Sequence, residues 1–203
     1  MIDAALIQKC ADPDLKPAIV ERFIAEAGST DPLAITVRSG DRVVLLPKPT
    51  TPDEAMALMH QYVGKAIVRV GITQYPAGIG VSSLSELKPD LVDACENIRM
   101  GTVLFGKVYR IVTKWYGNAV EEAFDDAIYA WRTGYFEGKA IFSEPEPGDV
   151  EVATPTEVGP LQGEDDQSAP DPDEPVRDQT KTADDPNQAG MRIDLSGIGG
   201  RVP

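Results

Sequence analysis

Histidine and cysteine are nearly absent from this chain: one histidine, His60, and two cysteines, Cys10 and Cys95, stand among 203 residues. That scarcity leaves no Cys/His set at metal-ligand spacing, and no metal is expected. There is no nucleophile elbow and no phosphate-binding glycine loop. Gly78-Ile79-Gly80 alone is a flexible turn, so no cofactor is expected either. No apolar run is long enough to span a bilayer. Residues 1–10 also lack the basic region and continuous apolar stretch of a secretory signal, which on that ground alone points to the cytoplasm.

Aromatic residues stop at Phe142, and composition divides the chain there. Residues 143–203 hold 9 of the 17 prolines, 15 of the 33 acidic residues and 4 of the 19 basic ones, which is −11 of the net charge of −14. Such a segment has too little apolar surface to offset its ordering entropy and is expected to be a disordered acidic tail. Apolar residues reappear between Met191 and Leu195, where a short docking motif is an alternative to plain linker. Residues 1–142 form the expected folded domain; being near neutral, they present no basic footprint for direct nucleic-acid binding.

Within that domain the chain reads as helices with a small β-hairpin, an α+β arrangement dominated by α. Residues 3–9 suggest a short helix, and a second runs from about Leu15 to Ala27 with Pro17 in its first turn. Leu33–Val37 and Val43–Leu46 are β-branched and flank Gly40, as in a hairpin. Thr51-Pro52-Asp53-Glu54 is a capping-box spacing for a helix to about Val63. Ala66–Val70 fits a third short strand, and Ser83–Glu86 a single helical turn. Asp93–Tyr116 is the longest periodic segment, with Ile98, Val103, Leu104, Val108, Ile111, Val112 and Trp115 at helical spacings. Asn118 is the expected cap of a last helix, Ala119–Arg132, ended by Gly134.

At roughly 100° per residue, Leu15, Ile19, Phe23 and Glu26 share one side of the second helix, so Glu26 is expected to point inward. An inward carboxylate is either a paired structural acid or one kept protonated for chemistry, because desolvation raises a carboxyl pKa. Taken singly, other residues have bland readings: His60 as surface or half-buried, Glu121, Glu122, Asp125 and Asp126 as a solvated face, and Trp131 as core. The two cysteines fit either buried thiols or one disulfide.

The order of the pieces carries more. Cys10-Ala11-Asp12-Pro13, a helix ending in Glu26, then Asp31-Pro32-Leu33-Ala34-Ile35 resembles the start of lytic transglycosylase domains of the type IV secretion class, which read Cys-Ala-Pro, helix, Glu-Ser-Gly-Phe-Asn-Pro-x-Ala-Ile. Gly71-Ile72-Thr73-Gln74 is similar to that family's Gly-Leu-x-Gln, and Asp93-Ala94-Cys95-Glu96-Asn97-Ile98 to its Asp-Pro-Cys-x-Asn-Leu. Ala130-Trp131-Arg132-Thr133-Gly134 stands where it has Ala-Tyr-Asn-Thr-Gly. The resemblance spans about residues 4–140 and implies a lysozyme-like domain of the soluble lytic transglycosylase type. More closely, residues 1–13, Gly71–Gly78 and Val112–Asn118 resemble the TraH family of conjugal transfer proteins of rhizobial and agrobacterial plasmids.

In lysozyme-like transglycosylases one glutamic acid protonates the glycosidic oxygen between N-acetylmuramic acid and N-acetylglucosamine. Acting then as a base, it helps the sugar's own 6-hydroxyl close an anhydro ring. The resemblance gives Glu26 that role, with Gln74 as a hydrogen-bond donor, Tyr75 or Trp131 as a platform for a pyranose face, and Arg132 beside them. It also implies a Cys10–Cys95 disulfide, which would argue for the periplasm. The chain departs from the pattern in three places. The stretch after Glu26 is one residue longer, and Trp131 and Arg132 replace Tyr and Asn, adding a guanidinium that lowers a nearby acid's pKa. Two functions follow. One is a peptidoglycan lytic transglycosylase for the transfer apparatus, periplasmic and acting on the glycan strand. The other is a non-catalytic interaction protein on the same scaffold, binding glycan or conjugation and type IV secretion proteins and tethered by its acidic tail.

Overall fold

Capping and packing decide where each helix begins in the computed structural model, which describes residues 3–148, 150 and 152. Helix α1 (Ala4–Cys10) opens where the Asp3 carboxylate accepts the Ala5 N–H at 3.0 Å. Helix α2 (Pro17–Ala27) opens on proline, where no intrahelical donor is lost. At α3 (Pro52–Tyr62), Thr51 Oγ1 accepts the Glu54 N–H at 3.2 Å and the Glu54 carboxylate turns back to the Thr50 N–H at 2.7 Å. Asp93 caps the 23-residue α4 (Ala94–Tyr116), and Gly117 and Gly134 end α4 and α5 (Glu121–Thr133). Asn118 is not the cap of α5. Its carbonyl closes a tight turn onto the Val120 N–H at 3.2 Å, so Val120 becomes the capping residue and the helix starts at Glu121.

The expected hairpin is the edge of a larger antiparallel sheet. Strand β1 (Ile35–Ser39) pairs with β2 (Arg42–Val44) on one side and β3 (Ile67–Val70) on the other, and β3 pairs with the two-residue β4 (Tyr75–Pro76). In this register Val37 stands opposite Val68 and Ile35 opposite Val70, turning their side chains toward Ala55 and Met59 of α3. Thr36, Arg38, Ile67 and Arg69 take the other face. A further pair, β5 (Tyr135–Phe136) with β6 (Lys139–Ala140), follows α5; strands this short carry no periodic signal in the sequence. The architecture is mixed α and β, with helices predominating and small antiparallel sheets.

Helices α1, α2, α4 and α5 enclose an aromatic core. Phe23 and Phe105 stack at 4.0 Å, and Trp131 meets them edge-on at 5.1 and 6.0 Å. Each phenylalanine contributes about 1.5 to 3 kcal/mol by burial. A second apolar cluster lies between the sheet, α3 and the turn Pro89–Val92. The buried stripe of α4 runs through Ile98, Phe105, Val108, Tyr109 and Val112, whereas Val103 and Trp115, expected with it, are 51% and 59% exposed. Both lie off the centre of that stripe, and the Trp115 ring instead meets Tyr116 and Phe136 at the surface.

Beyond Ser143 the chain follows α4: Glu146 pairs with Arg110 at 2.5 Å, and Lys114 Nζ donates to the Pro147 carbonyl at 3.1 Å. Val152 is buried against the helical core, so the expected tail boundary at 143 falls within packed chain; residues 149, 151 and 153–203, including Met191–Leu195, lie outside the described residues. Among those described, no helix is long and apolar enough to cross a membrane.

Candidate functional site

Glu26 lies near the end of α2, whose buried residues are Ile19, Val20, Phe23 and Ile24. That set centres the stripe between Ile19 and Ile24, roughly 90° from Glu26. The inward orientation expected from Leu15, Ile19 and Phe23 is therefore corrected: the Glu26 side chain is 36% exposed, and its Oε1 accepts from Arg22 Nε at 2.7 Å. Arg22 also pairs with Glu121 and, at 3.2 Å, with Asp125, and its guanidinium lies 4.1 Å from the centre of the Phe124 ring. The hydrogen bond to Glu121 does most to hold the Arg22 pKa above its ordinary value, and the same contact lowers that of Glu121. Burial is the main cause of a raised pKa at Asp125. One guanidinium shared by three solvent-facing carboxylates is a surface ion network. It lacks the apolar enclosure that a proton-donating glutamic acid needs.

The residues expected around the sugar are joined by a different logic. The turn between β3 and β4 is held from α4 by Asn97, which is fully buried. Asn97 Oδ1 accepts from the Thr73 N–H at 2.9 Å and from Thr73 Oγ1 at 3.0 Å, while Nδ2 donates to the carbonyls of Val70 and Leu91 at 3.0 and 2.9 Å. Gly71 takes φ 74° there, and a Cβ at Gly101 would come within 2.2 Å of Thr73 Oγ1. Gln74, at φ 51°, spends its side-chain amide inside the turn: Nε2 donates to the Gly71 carbonyl at 2.9 Å, and Oε1 accepts from Thr36 Oγ1 at 2.8 Å.

Trp131 is fully buried, and its Nε1 donates to the Thr73 carbonyl at 3.1 Å. A ring with no exposed face cannot be a sugar platform, so that expectation is corrected for Trp131; the Gln74 amide, expected to donate to the sugar or to the acid, is bonded within the turn. Tyr75 is half-buried, with burial raising its phenol pKa. Arg132 is exposed and donates to the backbone carbonyl of Glu26, satisfying one of the open acceptors at the end of α2. The ion pairs of the Glu26 carboxylate do not include Arg132.

A disulfide joins Cys10, at the end of α1, to Cys95 in the first turn of α4, across 85 positions of sequence. Among the described residues no cluster of His, Cys, Asp and Glu is placed to hold a metal ion.

The family model described as TraH_2 matches residues 1–200 of the chain. The chain belongs to the TraH_2 family. It is 52% identical, over 209 aligned residues, to a protein of Sinorhizobium fredii (strain NBRC 101917 / NGR234) named "Uncharacterized protein y4dP"; the alignment covers 98% of this chain and all of the relative. No solved structure matches it.

In this TraH_2 family member, the most buried arginine among the described residues belongs to no sequence motif. Arg69 is 8% exposed in the apolar strand Ile67-Val68-Arg69-Val70, and its Nη1 and Nη2 donate to the carbonyls of Gln74 and Arg132 at 3.2 and 3.1 Å. Burial, with a smaller effect from Arg38, lowers its pKa to about 10, which leaves it charged at neutral pH. A lone cation in a run of β-branched residues was the available signal. The alternation of a strand alone leaves such a side chain on a solvated face.

Proposed function

We propose that this TraH_2 family protein serves conjugal plasmid transfer as a non-catalytic interaction component, built on a lysozyme-like scaffold. The family supports the transfer role. The order of α2, the hairpin sheet, α3 and the paired helices α4 and α5 supports the scaffold. One observation carries the non-catalytic reading: the Glu26 carboxylate is bound to Arg22 at 2.7 Å within an exposed ion network. A general acid for glycoside cleavage must instead be protonated and walled by apolar groups.

The Cys10–Cys95 disulfide supports an oxidising compartment such as the periplasm, where transfer machinery would be its partner. In this reading the acidic segment beyond the stretch packed on α4 is a charged tether for basic partners of that machinery.

The test is a murein digest by the purified protein, analysed for anhydro-muropeptides, alongside plasmid transfer by a deletion strain complemented with wild type or Glu26→Gln. The expected result is no anhydro product from either protein and equal restoration of transfer by both. Anhydro-muropeptides released by wild type and not by Glu26→Gln would overturn the reading in favour of a lytic transglycosylase.

A further inference from the structure

A groove of about 430 Å³ runs between the β3–β4 pair and the β5–β6 pair, lined among others by Ile67, Ile79, Gly80, Tyr135 and Phe142, with Arg69 on its wall. Its volume falls in the range of small-ligand sites. What sets it apart is the state of Arg69. Arg22, Arg99 and Arg110 each lie against a carboxylate. Arg69, far more enclosed than any of these, has no ion-pair partner among the described residues, in a chain whose net charge is −14. Its immediate neighbours are two neutral carbonyls and the rings of Trp131 and Phe142, each centred 5.8 Å from the guanidinium carbon. These groups solvate a cation without neutralising it, and a buried charge is ordinarily paired. Two of its N–H donors are used; a guanidinium has five, in a fork that fits two oxygens of one group.

We propose that this groove binds a monocarboxylate carrying a small apolar body, with the carboxylate on Arg69 and the body against Ile67, Ile79 and Phe142. A single enclosed positive charge balances one negative charge. Phosphate, partly dianionic near neutrality and carrying no apolar body, would bring excess charge and a fully hydrated group against apolar walls, so charge and wall chemistry together favour a carboxylate. Arg38 shares the sheet face with Ile67 and Arg69 and favours approach of an anion from solvent. Two sources offer this chemistry, a short free organic acid and the terminal carboxylate of a peptide. The assignment does not depend on the transfer role.

The test is a titration of the full-length ¹⁵N-labelled protein, followed by the Arg69 Nε–H resonance and the amides of Gly80 and Gly134. The probes are 3-phenylpropionate, N-acetyl-alanyl-alanine, the carboxamide of each, and inorganic phosphate. Saturable shifts at those groups are expected with both acids or either one, with the carboxamides and phosphate at least tenfold weaker. Tighter binding of the acetylated dipeptide would identify a peptide terminus as the source, and tighter binding of phenylpropionate a free acid. The control is Ile67→Glu, at a half-exposed position two residues along the same strand face, which places a carboxylate beside Arg69 without emptying the core. It is expected to keep a folded spectrum and lose at least tenfold in affinity. Equal binding of acid and carboxamide, binding of phosphate alone, no saturable shift with either acid, or undiminished affinity in Ile67→Glu would each overturn the proposal.

Discussion

The indole Nε1 of Trp131 donates to the carbonyl oxygen of Thr73 at 3.1 Å, tying helix α5 to the β3–β4 turn across 58 positions of sequence. Both groups are fully buried, so the bond has no water to replace it. Trp131→Phe keeps most of the ring packing against Phe23 and Phe105 but leaves that carbonyl unpaired. It is expected to lower unfolding free energy by about 1 to 3 kcal/mol, and Trp131→Ala by about 3 to 5. Urea unfolding of the three proteins checks the order. Equal stability of wild type and Trp131→Phe would show that the bond contributes nothing.

Gly101 lets α4 approach the same turn. A methyl group there would lie 2.2 Å from Thr73 Oγ1 and 2.4 Å from its Cβ, so either the Asn97–Thr73 bonds break or the helix moves away. Gly101→Ala, which raises helix propensity at an ordinary site, is expected instead to destabilise by at least about 1 to 3 kcal/mol. Thermal unfolding decides the sign, and a higher melting temperature for the alanine variant would contradict the close contact.

The Cys10–Cys95 bridge spans 85 positions, long enough to restrict the unfolded chain strongly. Reduction, or the paired Cys10→Ala and Cys95→Ala substitution, is expected to lower stability by about 2 to 5 kcal/mol. Denaturation with and without reductant reads this directly. The double variant should show no further loss on adding reductant.

The Arg22 network predicts an acid-dependent term. The hydrogen bond from Arg22 holds the Glu121 carboxyl below its ordinary value of 4.5, so its contribution is complete above that pH and is lost as pH falls through the lowered folded value. Glu121 is 45% exposed, and solvent screening limits the effect to about 0.2 to 1 kcal/mol. Glu121→Gln is expected to be less stable than wild type near neutrality and to converge with it in acid. Unfolding curves at a series of pH values test this; a constant difference down to strongly acid pH would rule out the linkage.

Much of the fold was legible from the sequence because local chemistry fixes element ends: Pro17 in the first turn of α2, the Thr51–Glu54 capping box of α3 and Gly134 at the end of α5 act through groups close in sequence. Asp3 and Asp93, by contrast, expected as the first residues of their helices, are caps just outside them. Less of the site was legible. The Glu26 orientation turned on whether Val20 and Ile24 also belong to the buried stripe, which depends on what α2 packs against and not on its own spacing. Arg69 read as an ordinary strand residue. Its burial comes from Trp131 and Phe142, more than sixty positions away.

By itself the sequence determined the helices, the hairpin and the TraH_2 family, since capping, periodicity and motif order are properties of neighbouring residues. Tertiary structure alone decided which charges stay in water and which are enclosed. Glu26 gained Arg22, Glu121 and Asp125 as surface company, while Arg69 was shut beneath two aromatic rings with no carboxylate partner among the described residues. Solvation of a charge depends on everything folded around it, and no local pattern of residues specifies that.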